Sequence, residues 1–83
     1  MDASMQPPVI RRLELTDIAS ALQIERASFV TPWSEAMFVL EISKSSSVCL
    51  AAEIDGELVG YLCASRYASN WHVMNVWVDH GRS

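Results

Sequence analysis

Residues 48–65, VCLAAEIDGELVGYLCAS, read as a β-hairpin and decide the fold. Asp55-Gly56 separates two β-rich runs, and a two-residue Asp-Gly loop suits a type I′ turn because both central positions need positive φ. Placing Ile54 opposite Glu57 sets the expected register. Val48, Leu50, Ala52, Ile54, Val59, Tyr61 and Cys63 then share one face, and Cys49, Ala51, Leu58, Leu62 and Ala64 the other. A sheet apolar on both faces needs cover on both.

Upstream, Val9-Ile10-Arg11-Arg12-Leu13 reads as a short first strand after a tail over residues 1–8. Thr16 suits a helix N-cap with Asp17 in the first turn, and Ile18, Ala21, Leu22, Glu25 and Phe29 follow at helical spacing, so a first helix is expected to stop near Phe29. Thr31-Pro32 is a second start signal, a cap followed by proline at the first helical position. Trp33, Met37 and Leu40 then form an apolar stripe as far as Ser43. Ser45-Ser46-Ser47 is the loop into the hairpin. After Tyr67 the polar Ala68-Ser69-Asn70 turn leads into a last strand, Trp71 to Val78, with apolar residues on both faces. The order is β-α-α-β-β-β, an α+β arrangement with a mainly antiparallel sheet and two helices. Both helices precede the hairpin, so one sheet face is expected to lack cover.

Composition narrows the functions. Hydrophobic residues make up 51% of the chain, too many for a chain disordered as a whole. At 83 residues one small core is possible, since a chain near this size buries only about 60% of its unfolded surface. A net charge of -4 with six basic residues and no basic cluster gives no reason to expect a nucleic-acid partner. The N-terminus lacks the pattern of a signal peptide, and no apolar run nears the roughly 18 residues of a membrane span, so a soluble cytoplasmic protein is the expectation. Cys49 and Cys63 fall on opposite faces of the expected hairpin. A disulfide between them is therefore not expected, and they read as small buried hydrophobes with no metal role.

Five segments in this order carry a family resemblance: IRRLELTDI, IERASF, TPWSEAMF, AAEIDGELVGY and HVMNVWVD. Together, over about Val9 to Asp79, they resemble the amino-terminal half of a Gcn5-related N-acetyltransferase (GNAT). The Pro-Trp-Ser at the helix boundary and the Asn-Val-x-Val strand are most similar to the RimI-like branch, which acetylates the N-terminal alanine of a ribosomal protein. The resemblance implies an acetyl-CoA-dependent transferase whose acceptor is a protein N-terminus or a small amine. It places the backbone of Val76, Trp77 and Val78 on a strand that splays from its neighbour and holds the acetyl group and pantetheine arm. It places Phe29 to Ser34, including Pro32 and Trp33, along the acceptor groove, with Tyr67 and Trp71 near it. The family continues with a loop of the form R/Q-x-x-G-x-G/A that cradles pyrophosphate at a helix N-terminus. Here residues 79–83 read Asp-His-Gly-Arg-Ser, with one glycine and one arginine. Residues 80–83 are expected to be a truncated end, and the chain alone to be inactive.

Amine acetylation needs a base for the ammonium proton, donors for the oxyanion and an acid for the thiolate, each within about 3 Å of the reacting atoms. His72 is the one candidate base on the last strand, because its ordinary pKa is near neutral. A histidine beside two tryptophans is, however, more often a packed, hydrogen-bonded residue. Glu53 and Glu57 flank the hairpin turn and read as solvated edge residues rather than a carboxylate pair. Trp33 is more often core than groove wall at this spacing. Glu14, Asp17 and Glu25 form at most a solvated face with Arg11, Arg12 and Arg26. Two classes of function follow: an acetyltransferase half, or a non-catalytic module that pairs with itself. The last strand, long and apolar on both faces, has no later element to cover its free edge, so a homo-oligomer through residues 71–78 is expected.

Overall fold

The structure, a computed structural model, describes residues 7–79. Most of the expected tail, positions 1–6, and residues 80–83 lie outside the described residues. The element order is β1 (Val9–Arg12), a 3-10 turn at Leu15–Asp17, α1 (Ile18–Ser28), α2 (Glu35–Ser43), β2 (Ser47–Ile54), β3 (Glu57–Tyr67) and β4 (Asn70–Val78). The strands form one antiparallel sheet in the order β1-β2-β3-β4. No helix among the described residues is long and apolar enough to cross a membrane.

The hairpin turns where the sequence places it. Asp55 and Gly56 hold φ of 53° and 79°, the pair of positive angles a type I′ turn demands, and Ile54 faces Glu57. The face assignment changes three residues later. Glu53 faces Leu58 but Ala52 faces Gly60, so Val59 is a bulge without a partner on β2. One extra residue reverses the alternation beyond it. Cys49 therefore faces Cys63 and Ala51 faces Tyr61, all four buried on the helix-covered side, whereas Leu50 faces Leu62 on the other. The expected faces, and the separation of the two cysteines, are thus corrected. Both cysteines are free thiols. Burial pushes the pKa of each above the ordinary thiol value.

Gly60 follows the bulge, and β4 lies close to it. A Cβ there would come within 3.2 Å of the Trp77 carbonyl oxygen. β4 carries its own bulge: Cys63 faces Asn75 and Ala64 faces Val73, leaving Met74 unpartnered on β3.

α1 begins after the 3-10 turn, where the Glu14 N–H donates to Asp17 Oδ2 at 2.7 Å and Asp17 also takes Arg11 Nη1 at 2.8 Å. It ends with the Phe29 N–H on the Glu25 carbonyl. α2 starts later than its sequence signal. Ser34 is the N-cap, its Oγ accepting the Met37 N–H at 3.3 Å. Thr31-Pro32-Trp33 stays in the connecting turn because the Trp33 N–H is bonded to a side chain of α1 rather than left free at a helix start. The later start rotates the stripe. Phe38 and Glu41 face inward, while Met37 and Leu40 are exposed.

The core consists of Leu13, Ile18, Ala21, Phe38, Cys49, Ala51, Tyr61 and Cys63, between the helices and one sheet face. The opposite face carries Ile10, Leu50, Leu62, Val76 and Val78, and Ile10, Val76 and Val78 are 61%, 47% and 55% exposed. Among the described residues nothing covers it, as the sequence anticipates.

Candidate functional site

Glu25 sits on the apolar stripe of α1 and is 1% exposed, which corrects its reading as part of a solvated face. Its Oε1 accepts the Trp33 N–H at 2.7 Å. Its Oε2 accepts the Asn75 side-chain amide at 2.7 Å and the Tyr61 hydroxyl. Three donors to one carboxylate satisfy a group that would otherwise be expensive to bury. Burial raises the Tyr61 pKa, and the bond to Glu25 raises it further. Above the carboxylate runs a line of rings: Trp33 edge-on to Phe38 at 5.1 Å, Phe38 edge-on to Tyr61 at 5.8 Å, and Tyr61 stacked on Trp77 at 5.8 Å. The turn between the helices is thereby joined to β4 through both main chain and rings.

β4 stays paired with β3 to its end, with Gly60 facing Val78 and the Asp79 N–H on the Val59 carbonyl at 2.9 Å. Antiparallel strands point alternate amides to alternate sides. The Asp79 amide is directed at β3, so those of Val78 and Val76 are directed at the outer edge, which no strand pairs among the described residues. That of Trp77 is directed at β3, which corrects its expected place among the backbone groups facing the acetyl-CoA arm. Beside that edge a cleft of about 460 Å³ is lined by Ser28, Phe29, Val76, Trp77 and Val78. It brings the end of α1 and the end of β4 into one concavity.

The other sequence candidates are dispersed. Trp33 is half-buried against the core, and Pro32 is exposed in the turn. Tyr67 and His72 are exposed at the far end of the sheet, their rings 5.4 Å apart. Trp71 faces Arg66, which places it on the other face from the Ser65–His72 pair. At that far end lies a second buried carboxylate, Glu41, which accepts Lys44 Nζ and Ser47 Oγ at 2.8 Å and Ser65 Oγ at 2.6 Å. Burial pulls its pKa up, but the bonds from Lys44, Ser65 and Ser47 outweigh that and hold it below the usual carboxylate value. A cavity of about 560 Å³, lined by Arg12, Lys44, Ser47 and Leu50 among others, also lies away from the β4 edge. Glu53 forms an ion pair with Arg11 rather than standing solvated. No group of three His, Cys, Asp or Glu suited to a metal occurs among the described residues.

Sequence reasoning missed Glu25, Tyr61 and Asn75 as a unit. The available signal was a carboxylate at the Ile18, Ala21, Leu22, Glu25 spacing, a charge on an apolar face.

The sequence pattern of the GNAT acetyltransferase family matches residues 18–82. The chain belongs to the GNAT family. An uncharacterized N-acetyltransferase of Methanocaldococcus jannaschii is 31% identical over 70 residues, 84% of this chain and 45% of the relative. The ribosomal-protein-S18-alanine N-acetyltransferase of Escherichia coli superposes with a TM-score of 0.77 at 23% identity, covering 89% of this chain and 47% of that one. The PaiA N-acetyltransferase of Thermoplasma acidophilum, solved in complex with coenzyme A, gives 0.78 at 16% identity over 94% of this chain and 62% of that one. The chain thus spans about half the length of the first two. At these identities the two solved structures establish the GNAT fold, and acetyl-CoA is the cofactor of the family.

Proposed function

We propose that this GNAT chain is the amino-terminal part of an acetyl-CoA-dependent N-acetyltransferase whose acceptor is the N-terminal amine of a protein, of the ribosomal-protein alanine type. The observation that carries the proposal is the cleft at the open edge of β4, where Val76 and Val78 amides face outward beside Phe29. That edge fits the amide-bearing arm of acetyl-CoA, because outward N–H groups are donors for its carbonyls. The turn over residues 29–34 forms the acceptor side. Bound acetyl-CoA supplies the thioester that the amine attacks. Transfer would require the acceptor ammonium first to give up a proton to a base, and would then form the C–N bond as the C–S bond breaks, with the coenzyme thiolate as leaving group. Val76 and Val78 are proposed to orient the arm, and Phe29, Pro32 and Trp33 to shape the acceptor path. His72, Tyr67 and Trp71 lie away from the cleft and are given no part in this proposal.

For these 83 residues alone we propose weak acetyl-CoA binding and no turnover. Pyrophosphate affinity rests on a helix N-terminus, and no helix follows β4 among the described residues. Nuclear magnetic resonance titration with acetyl-CoA tests both parts. Millimolar-range shifts confined to the amides at 76–78 and the 28–33 turn are expected. Shifts elsewhere, or none, would overturn the site. Micromolar affinity, or acetylation of an alanine-led peptide, would overturn the weak-binding part.

A second reading has its own support in the uncovered sheet face and the unpaired edge of β4. We propose that the isolated chain self-associates through this strand and face, most simply as a two-fold dimer. Sedimentation at micromolar concentration should show it, and Val76→Lys or Ile10→Lys should weaken it. A soluble monomer at high concentration would refute it.

A further inference from the structure

Glu25 takes its donors from three segments, 8, 36 and 50 positions along the chain, and no lysine or arginine forms an ion pair with it among the described residues. An apolar side chain at this point of the α1 stripe would fill the space at no electrostatic cost. It would not hold a main-chain N–H of the turn and a side chain of β4 on one planar group. The two oxygens divide the donors: Oε1 takes the turn, and Oε2 takes the sheet. Asn75 immediately precedes the outward amides of Val76 and Val78, and Trp33 belongs to the turn on the acceptor side. With both oxygens occupied and 1% of the residue exposed, this carboxylate has no access to a substrate proton and is no base.

We propose that Glu25 is a positioning residue that registers the acceptor-side turn against the strand receiving acetyl-CoA, so that a displacement at one wall is felt at the other. This rests on the acetyltransferase reading above. A charge-assisted bond is short and directional, and a rigid carboxylate transmits a shift at Asn75 to the Trp33 N–H.

The test reads the Trp33 backbone amide of the 83-residue chain by nuclear magnetic resonance and hydrogen exchange. Asn75→Ala should lower its protection by about tenfold, the scale of one lost bond to a charged group. Val73→Ala, a nearby change on the other sheet face, should leave it unaltered. In a Glu25→Met background Asn75→Ala should no longer move Trp33. Acetyl-CoA at millimolar concentration should shift the Val76 and Val78 amides and, through Glu25, that of Trp33. In Glu25→Met the strand shifts should remain and the Trp33 response vanish, with Glu25→Gln restoring part of it.

A Trp33 amide indifferent to Asn75→Ala in the native chain would overturn the proposal, and that measurement decides even if Glu25→Met does not fold. So would an acetyl-CoA response at Trp33 that survives in Glu25→Met. Loss of every response at Val76 and Val78, with the Asn75-to-Trp33 coupling intact, would instead overturn the acetyltransferase reading and reduce Glu25 to a strut of the fold.

Discussion

Tyr61→Phe isolates one bond of the buried site. The ring stays, so its edge contact with Phe38 and its stack on Trp77 are retained and no cavity opens. What is lost is the hydroxyl donated to Glu25. A hydrogen bond to a charged group contributes about 1.5 to 3 kcal/mol. The carboxylate keeps Trp33 N–H and the Asn75 amide, so it is not orphaned, and about 2 kcal/mol is the expected loss. Against roughly 0.05 to 0.15 kcal/mol per residue, about 4 to 12 kcal/mol in total for a chain of this length, that is a large fraction. With a urea slope of about 1 kcal/mol/M, the midpoint should fall by roughly 2 M. The assay is urea unfolding of the two proteins, side by side at neutral pH, followed by circular dichroism. A fall of less than about 0.5 M would show that the hydroxyl contributes little to the buried carboxylate, and the reasoning about the site would fail.

Four further outcomes follow from the same geometry. Burial raises the folded pKa of Cys63, Cys49 and Tyr61 above ordinary values of 9.0, 9.0 and 10.0, so their neutral forms favour the fold; that stability is complete below about pH 9 and declines as pH rises beyond it, and pH-dependent melts of Cys63→Ala should show a shallower alkaline decline, with Cys49 and Tyr61 still contributing to it. The acid limb has the opposite sign, because Asp17 and Glu41 have folded pKa values below their ordinary 3.8 and 4.5, and stability should be lost as pH falls through and below that range. Gly60→Ala sets a Cβ 3.2 Å from the Trp77 carbonyl and should cost about 1 to 2 kcal/mol in thermal melts while shifting the amides at 76–78; an unchanged spectrum would mean that β4 moves freely there. Trp33→Ala, at a half-buried ring resting on Phe38, should cost about 2 to 3 kcal/mol, less than a fully buried tryptophan, and a neutral result would place the ring outside the core.

The sequence by itself determined the elements and their order. The Asp55-Gly56 turn, the stop of α1 at Phe29 and the two-sided apolar strands are local signals, because turn angles, caps and alternation act over a few residues. It also indicated that one sheet face would be bare. The tertiary structure alone decided which side chains share a face. The bulge at Val59 inserts a single residue and thereby brings Cys49 opposite Cys63 and Tyr61 over the core, an irregularity that the strict alternation of the sequence does not record. The start of α2 at Ser34 is of the same kind, since the Trp33 N–H goes to a carboxylate eight positions earlier and not into a new helix. Glu25 marks the limit most plainly. Periodicity placed it on the buried stripe and charge argued for solvent; only donors arriving from Trp33, Tyr61 and Asn75 settled the contest in favour of burial.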